Sequence, residues 1–338
     1  MEGPNAADGW SGSDGWQGIG KWITVDDGCR LFVRRWIPPG VSLSPAGKKP
    51  RGVLHIVHGM AEHSLRYEYA ALRLCGGEIE VWAADQRGHG KTADAGVNER
   101  GKGGLLGHCA DKDGVSRVSA DIHFLNKTIQ AAYPETPLFL LGHSWGSFVA
   151  QNYIENYGGL SGCILSGTRG PGGLKIALGA PLMAFLALLQ GSRKGAYLSR
   201  LIVDGSVNKP FKPNRTPVDW LSRDEGAVDA YVADPLCGNL CSAGFYRDMI
   251  GTLREIHKPE AMARISRDLP LYIFCGSADS AGDMGNSPTA LVNVYRSLGI
   301  RDLEFVLYPD ARHETLNETN REEVTENLLS WILRRCGK

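Results

Sequence analysis

Ser144 sits in Gly142-His143-Ser144-Trp145-Gly146, behind the apolar run Leu138-Phe139-Leu140-Leu141 and ahead of Phe148-Val149-Ala150-Gln151. That order predicts a buried strand, a sharp turn and a helix. Glycines two residues before and two after the serine leave room for the strained backbone of such a turn, which lifts the hydroxyl clear of the sheet. A serine hydroxyl is a weak nucleophile near neutral pH, so it needs a base within hydrogen-bond reach and a third group to orient that base. His313 follows the strand-like stretch 303–307 and precedes a helical C-terminal pattern, and Asp279 follows the apolar run 271–275 and Gly276. Both therefore belong in loops at strand ends, in the chain order Ser, Asp, His. Asp283, deeper in the small polar loop Ser280-Ala281-Gly282-Asp283, is a rival for the acid.

Attack of a serine on a carbonyl also needs donors for the oxyanion, each worth about 3 kcal/mol. The run 52–57 leads into His58-Gly59-Met60-Ala61-Glu62-His63. The backbone N–H groups of Met60 and Trp145 are the natural pair, one from the loop after an early strand and one from the residue after the nucleophile. His58 and His63 on a glycine-containing loop lack the helical i, i+4 face of a zinc pair, and Cys237-x3-Cys241 has no second pair to complete a site. No metal and no cofactor are expected. Glu62 and Arg66, four apart at the start of a helix, suit a salt bridge.

Short β-rich runs at 21–25, 31–36, 52–57 and 79–84 alternate with helical patterns at 66–75 and 114–133. Alternation of this kind predicts a mostly parallel central sheet flanked by helices, with Asp26-Asp27-Gly28 making an antiparallel hairpin at one edge. After residue 168 the alternation stops until the early 240s, far beyond an ordinary connection of about 2 to 6 residues. We expect an inserted cap at 169–235, core segments at 21–168 and 236–338, and a mobile, Gly-rich segment at 1–20. Within the cap, 174–189 is an apolar helix in which Met183 and Phe185 are candidates for a greasy wall over Ser144, or for contact with a bilayer surface. It is shorter than the roughly 20 residues of a spanning helix, and Pro181 is expected to interrupt it, so no transmembrane segment is predicted.

Together, 58–63, Asp85-Gln86-Arg87-Gly88-His89-Gly90, 142–146, Gly276-Ser277-Ala278-Asp279 and the His313 loop resemble the monoacylglycerol lipase and lysophospholipase group of α/β hydrolases, across roughly 20–335. The resemblance implies the α/β-hydrolase fold, a carboxylic-ester hydrolase acting on monoacylglycerol- or lysophospholipid-like substrates, and a region around Glu62 and Arg66 close to the substrate headgroup. It also makes Arg87 and His89 scaffold. Trp145 departs from the usual methionine or glycine after the nucleophile and occurs in related proline-iminopeptidase-like aminopeptidases. Those carry a His-Gly-Gly-Pro-Gly loop where this chain has His58-Gly59-Met60-Ala61-Glu62. An aminopeptidase, an acyltransferase and a non-enzymatic binding scaffold of the same fold are the alternatives.

The 338 residues carry 37 basic and 37 acidic side chains, a balance that gives no electrostatic case for nucleic acid. A small lipid ester is the expected partner. Eight scattered cysteines read as reduced thiols, and the acidic start lacks a signal peptide's basic and apolar regions, so a cytoplasmic location is expected, with peripheral membrane contact through the cap.

Overall fold

A computed structural model describes residues 8–11, 17–42 and 47–337. Nine strands, β1 (Asp8–Ser11), β2 (Gln17–Thr24), β3 (Arg30–Ile37), β4 (Gly52–Val57), β5 (Ile79–Asp85), β6 (Leu138–His143), β7 (Gly162–Ser166), β8 (Leu271–Gly276) and β9 (Leu303–Tyr308), form one sheet in the order β1-β2-β3-β5-β4-β6-β7-β8-β9. β5, β4 and β6 to β9 run parallel, whereas β1, β2 and β3 pair antiparallel with their neighbours and β3 with β5. The tight turn at Asp26-Asp27-Gly28 joins β2 to β3, with Gly28 at φ 85°.

Every residue of β4 to β8 is buried, so both faces need cover. Side chains two apart share a face. Leu140, Cys163, Leu165 and Ile273 pack beneath α2 (Gly114–Ala132), α3 (Trp145–Asn156), α7 (Ala243–Glu255) and α9 (Asn286–Ser297). Phe139, Leu141, Ile164 and Phe274 meet α1 (Glu68–Gly76) and α10 (Arg321–Leu333) on the other face. α8 (Pro259–Met262) adds one turn. Between β7 and α7 the chain forms α4 (Gly173–Gln190), α5 (Tyr197–Asp204) and α6 (Glu225–Ala233), and no strand.

Of the segment 1–20, Asp8–Ser11 and the start of β2 are hydrogen-bonded strands, and the rest lies outside the described residues. One expectation is corrected. Pro181 does not interrupt α4, which runs unbroken for 18 residues and is long and apolar enough to be a candidate span. Proline removes one i→i−4 bond, but Ala177, whose carbonyl loses its partner, is exposed, so water can satisfy that oxygen. The inner face of α4, with Met183 and Leu186, packs into the main core against α7, and crossing a bilayer would strip that contact.

Candidate active site

The turn at Ser144 is built by close backbone approach. Ser144 has φ 52° and ψ −121°, a region costing about 1–3 kcal/mol for a residue with a side chain. Its N–H is held by the Ser166 carbonyl at 2.9 Å. A Cβ on Gly142 would lie 2.3 Å from the Gly146 oxygen, and one on Gly146 only 2.2 Å from the Val57 oxygen. The glycine spacing read in the sequence therefore lets the first turn of α3 touch the end of β4. Gly59 then lies beside the nucleophile, its notional Cβ 3.4 Å from Ser144 Cβ. Trp145 fills the space beneath, stacked on His89 at 5.4 Å between ring centroids and against Phe245 at 5.0 Å. Burial drives His89 down to about 3, keeping it neutral in that stack. Arg87 is spent on Asp121 and Asp27, and the His58 ring on the Gln86 N–H and the Gly59 carbonyl.

At the ends of β8 and β9, His313 Nδ1 lies 2.9 Å from Asp279 Oδ2. The other oxygen of Asp279 accepts the N–H groups of Ala281 and Gly282 at 2.9 and 3.1 Å. Burial opposes the charge of Asp279, yet His313 and these donors hold its carboxyl below the usual value. Asp283 instead is exposed, at φ 55° in the left-handed region. For His313 burial lowers the pKa, but the Asp279 carboxylate outweighs it and the net direction is up. His143, 5.0 Å away between ring centroids, is pushed to about 4 by burial and by His313. Positive charge is thus reserved for one imidazole. His313 Nε2 is buried without a hydrogen-bond partner among the described residues, and Ser144 lines two cavities with it.

Glu62 ties down the loop after β4. Its Oε1 accepts the Gly59 N–H at 2.5 Å and the Tyr67 hydroxyl at 2.8 Å, and its Oε2 accepts from Arg66 at 2.7 Å. Burial works against this charge, but Arg66 and the nearby imidazoles bring the carboxyl to about 2. Arg66 also grips Glu314, the neighbour of His313, with two bonds of 2.6 Å. Glu62 lines a cavity; Arg66 lines neither of the two at Ser144 and links two loops instead. The end of the 169–242 stretch clamps the same loop, since Ala61 O accepts the Gly238 N–H at 2.9 Å and the Tyr231 hydroxyl at 3.1 Å.

Both cavities have mixed linings. One, of about 350 Å³, has an apolar wall of Phe148, Ile176, Met183, Val203, Met249 and Ile250, with Arg169 and Lys175 also on its lining. The other, of about 480 Å³, adds Glu62, Arg200, Asn239 and Glu314 to apolar walls. Ser144, His313, Met60, Trp220, Val207 and Asp204 are common to both. Met183 is buried on the apolar wall of the smaller cavity, but Phe185 is 55% exposed and lines neither, which corrects its expected place on the wall. Two residues along a helix turn the side chain by about 200°. Sequence reasoning also missed Trp220, whose ring lies 4.9 Å from that of His313, and Glu314 and Asp204. Of these only Glu314 carried a signal, adjacency to His313.

His63, Asp234 and Cys237 bring three ligand atoms within 4.8 Å of one another, one short of a closed zinc site. His63 Nε2 is already bonded to Asp234 at 2.8 Å, and the positive charge of Arg66 reaches Cys237.

The family pattern described as "Serine aminopeptidase, S33" matches residues 48–320. The chain belongs to that family. Within reach of this S33-family chain is the "Monoacylglycerol lipase" of Mycolicibacterium smegmatis, 29% identical over 311 residues covering 90% of this chain and 94% of that one. The human "Monoglyceride lipase" is 27% identical over 92% of this chain and 89% of its own length. Among solved structures, a thermostable carboxyl esterase from Bacillus coagulans in complex with glycerol superposes with a TM-score of 0.83 at 27% identity, covering 94% of this chain and 99% of that one. A soluble variant of the monoglyceride lipase of Saccharomyces cerevisiae, in complex with a substrate analogue, gives 0.69 at 21% identity over 93% and 94%, a likeness of fold. The α/β-hydrolase fold is thereby shared by the S33-family chain and these proteins.

Proposed function

We propose that the protein is a serine carboxylic-ester hydrolase that cleaves monoacylglycerol-like lipids. The observation that carries this reading is that two cavities meet at Ser144 and His313, one with an apolar wall of Phe148, Ile176, Met183, Val203, Met249 and Ile250 that suits an acyl chain, the other with Glu62, Asn239 and Glu314 on its wall, which suit the alcohol it esterifies. Ser144 Oγ attacks the ester carbonyl while His313 Nε2 takes its proton, and Asp279 stabilises the imidazolium. The N–H groups of Met60 and Trp145 receive the oxyanion. Collapse breaks the ester C–O bond, His313 returns the proton to the departing alcohol, and water activated by His313 releases the acid from the acyl-enzyme. Residues 169–235 serve as the cap that closes both cavities. The named activities of the relatives support the same reading.

The outer faces of α4 and α5 support a peripheral contact with lipid surfaces. Leu174, Leu178, Leu188 and Leu189 on α4 and Tyr197 and Leu201 on α5 are exposed, Leu188 by 81%, and Tyr197 and Leu201 also line the larger cavity. Apolar surface continuous with a substrate cavity suits an enzyme whose substrate resides in a bilayer or micelle.

The deciding assay is a panel of para-nitrophenyl esters, monoacylglycerols, lysophospholipids and aminoacyl amides on the purified protein. Preference for medium- or long-chain monoacylglycerols supports the reading. Preference for aminoacyl amides would move the protein to the peptidases.

A further inference from the structure

The proposed mechanism leaves one carboxylate in the site unused. Asp204, the last residue of α5, lines both cavities at the point where they meet Ser144 and His313. Among the described residues its carboxylate accepts no hydrogen bond and forms no ion pair within 4 Å. Burial raises it to about 6, with Arg200 and His313 pulling the other way. The other two carboxylates of the larger cavity are spent. Glu62 serves Gly59, Tyr67 and Arg66, and Glu314 serves Arg66 and Asn317. Asn239 lines the same cavity, and both atoms of its amide are buried with no partner. An unpaired buried amide such as that of Asn239 is costly in an empty protein, and the half-buried Asp204 carboxylate faces the same cavity, so the two point to hydrogen bonds that a ligand completes.

We infer that Asp204, together with Asn239, is the specificity-determining contact for the alcohol half of the ester, accepting a hydrogen bond from a free hydroxyl. Preferred substrates are then monoesters of neutral polyols, and esters whose alcohol carries a phosphate are rejected. The inference rests on the ester-hydrolase reading above and names its leaving group. Two features favour a neutral hydroxyl. Three carboxylates, Glu62, Glu314 and Asp204, share the cavity lining with one guanidinium group, Arg200, and the Arg66 that pairs with Glu62 and Glu314 lies outside that lining, so a phosphate enters a site of net negative charge. Asp204 in turn feels the positive charges of Arg200 and His313, so its charge is partly balanced and its lone pairs are what it has left to offer.

The test compares three laurate esters on the full chain: 1-monolaurin, ethyl laurate, which has no free hydroxyl, and 1-lauroyl-lysophosphatidate. Ratios of kcat/KM within one preparation cancel any loss of folded enzyme. Wild type should prefer monolaurin to both. Asp204→Asn and Asp204→Leu should each cut the monolaurin to ethyl laurate ratio by about tenfold or more, the range for losing a hydrogen bond to a charged group. Asn239→Leu should lower the same ratio. Asp204→Asn should also narrow the gap between monolaurin and lysophosphatidate. Unchanged ratios in the Asp204 variants, or lysophosphatidate matching monolaurin in wild type, would overturn the assignment. An enzyme that cleaves none of the three laurate esters fails the ester-hydrolase reading itself, whereas one that cleaves monolaurin and ethyl laurate with a ratio unmoved by substitution fails only Asp204.

Discussion

Replacing Gly146 by alanine tests whether the elbow works by close backbone contact. A Cβ there would stand 2.2 Å from the Val57 oxygen and 2.5 Å from the His58 oxygen. Carbon and oxygen settle at about 3.3 Å, so the start of α3 and the loop after β4 must separate by about 1 Å. Both obstacles are backbone, and neither can rotate away. Overpacking of this kind costs about 1–3 kcal/mol of stability. The N–H groups of Met60 on one side and Trp145 on the other, the oxyanion donors of the proposed mechanism, are the groups that move apart. A misplacement of about 1 Å costs on the order of 100-fold in rate, or about 2.7 kcal/mol. Gly158→Ala is the control, since a Cβ at that position has no heavy atom within 4 Å and its φ is not positive. Thermal melting and single-turnover acylation with a para-nitrophenyl ester measure the two effects. Wild-type acylation in a folded Gly146→Ala variant would refute the elbow argument.

Asp279→Asn should lower turnover by about four orders of magnitude through loss of the useful His313 tautomer, while Asp283→Asn, at an exposed position, should change it by less than about twofold; the two are compared by kcat. His313 must be neutral to accept the serine proton, and its pKa is raised, so the acylation rate should fall on acidification with a midpoint above 6.5. In Asp279→Asn the strongest raising influence is gone while burial still lowers the pKa, opposed only by Glu314 and Glu62, so the midpoint of the residual activity should move to lower pH; a shift upward would contradict this. Catalytic efficiency on ester substrates should rise several-fold per added pair of carbons, at about 0.8 kcal/mol per methylene, until the space along the apolar wall at Met183 is full. Met183→Lys should blunt that rise in detergent-free solution, while Phe185→Lys should leave it intact and instead weaken sedimentation of the protein with lipid vesicles.

What could be read from the sequence was local. The elbow follows from two glycines flanking Ser144, because the clash they avoid lies within a few residues or on the neighbouring strand end. Parallel strands announce themselves as continuous apolar runs, since both faces are buried. Orientation within α4 was not legible. A helix apolar on nearly every side gives no phase, so Met183 and Phe185 looked equivalent although one faces the cavity and the other solvent. Pro181 suggested a break that an exposed carbonyl made unnecessary. Arg223 reaches Glu318, 95 residues further along the chain, while its neighbour Asp224 caps α6. The Arg66 to Glu314 contact joins residues 248 apart, and Trp220 and Asp204 reach the site from the stretch without strands. Such pairings depend on how elements dock, which spacing along one chain does not encode.

The central claim is that Ser144 carries the acyl group of a lipid ester. A fluorophosphonate probe applied to the full chain, followed by peptide mapping and by turnover of a long-chain monoacylglycerol in the same preparation, tests it most directly. The account predicts one labelled serine, Ser144, with label and turnover lost together in Ser144→Ala. Labelling at Ser147 or Ser166, or monoacylglycerol hydrolysis that survives the substitution, would contradict it.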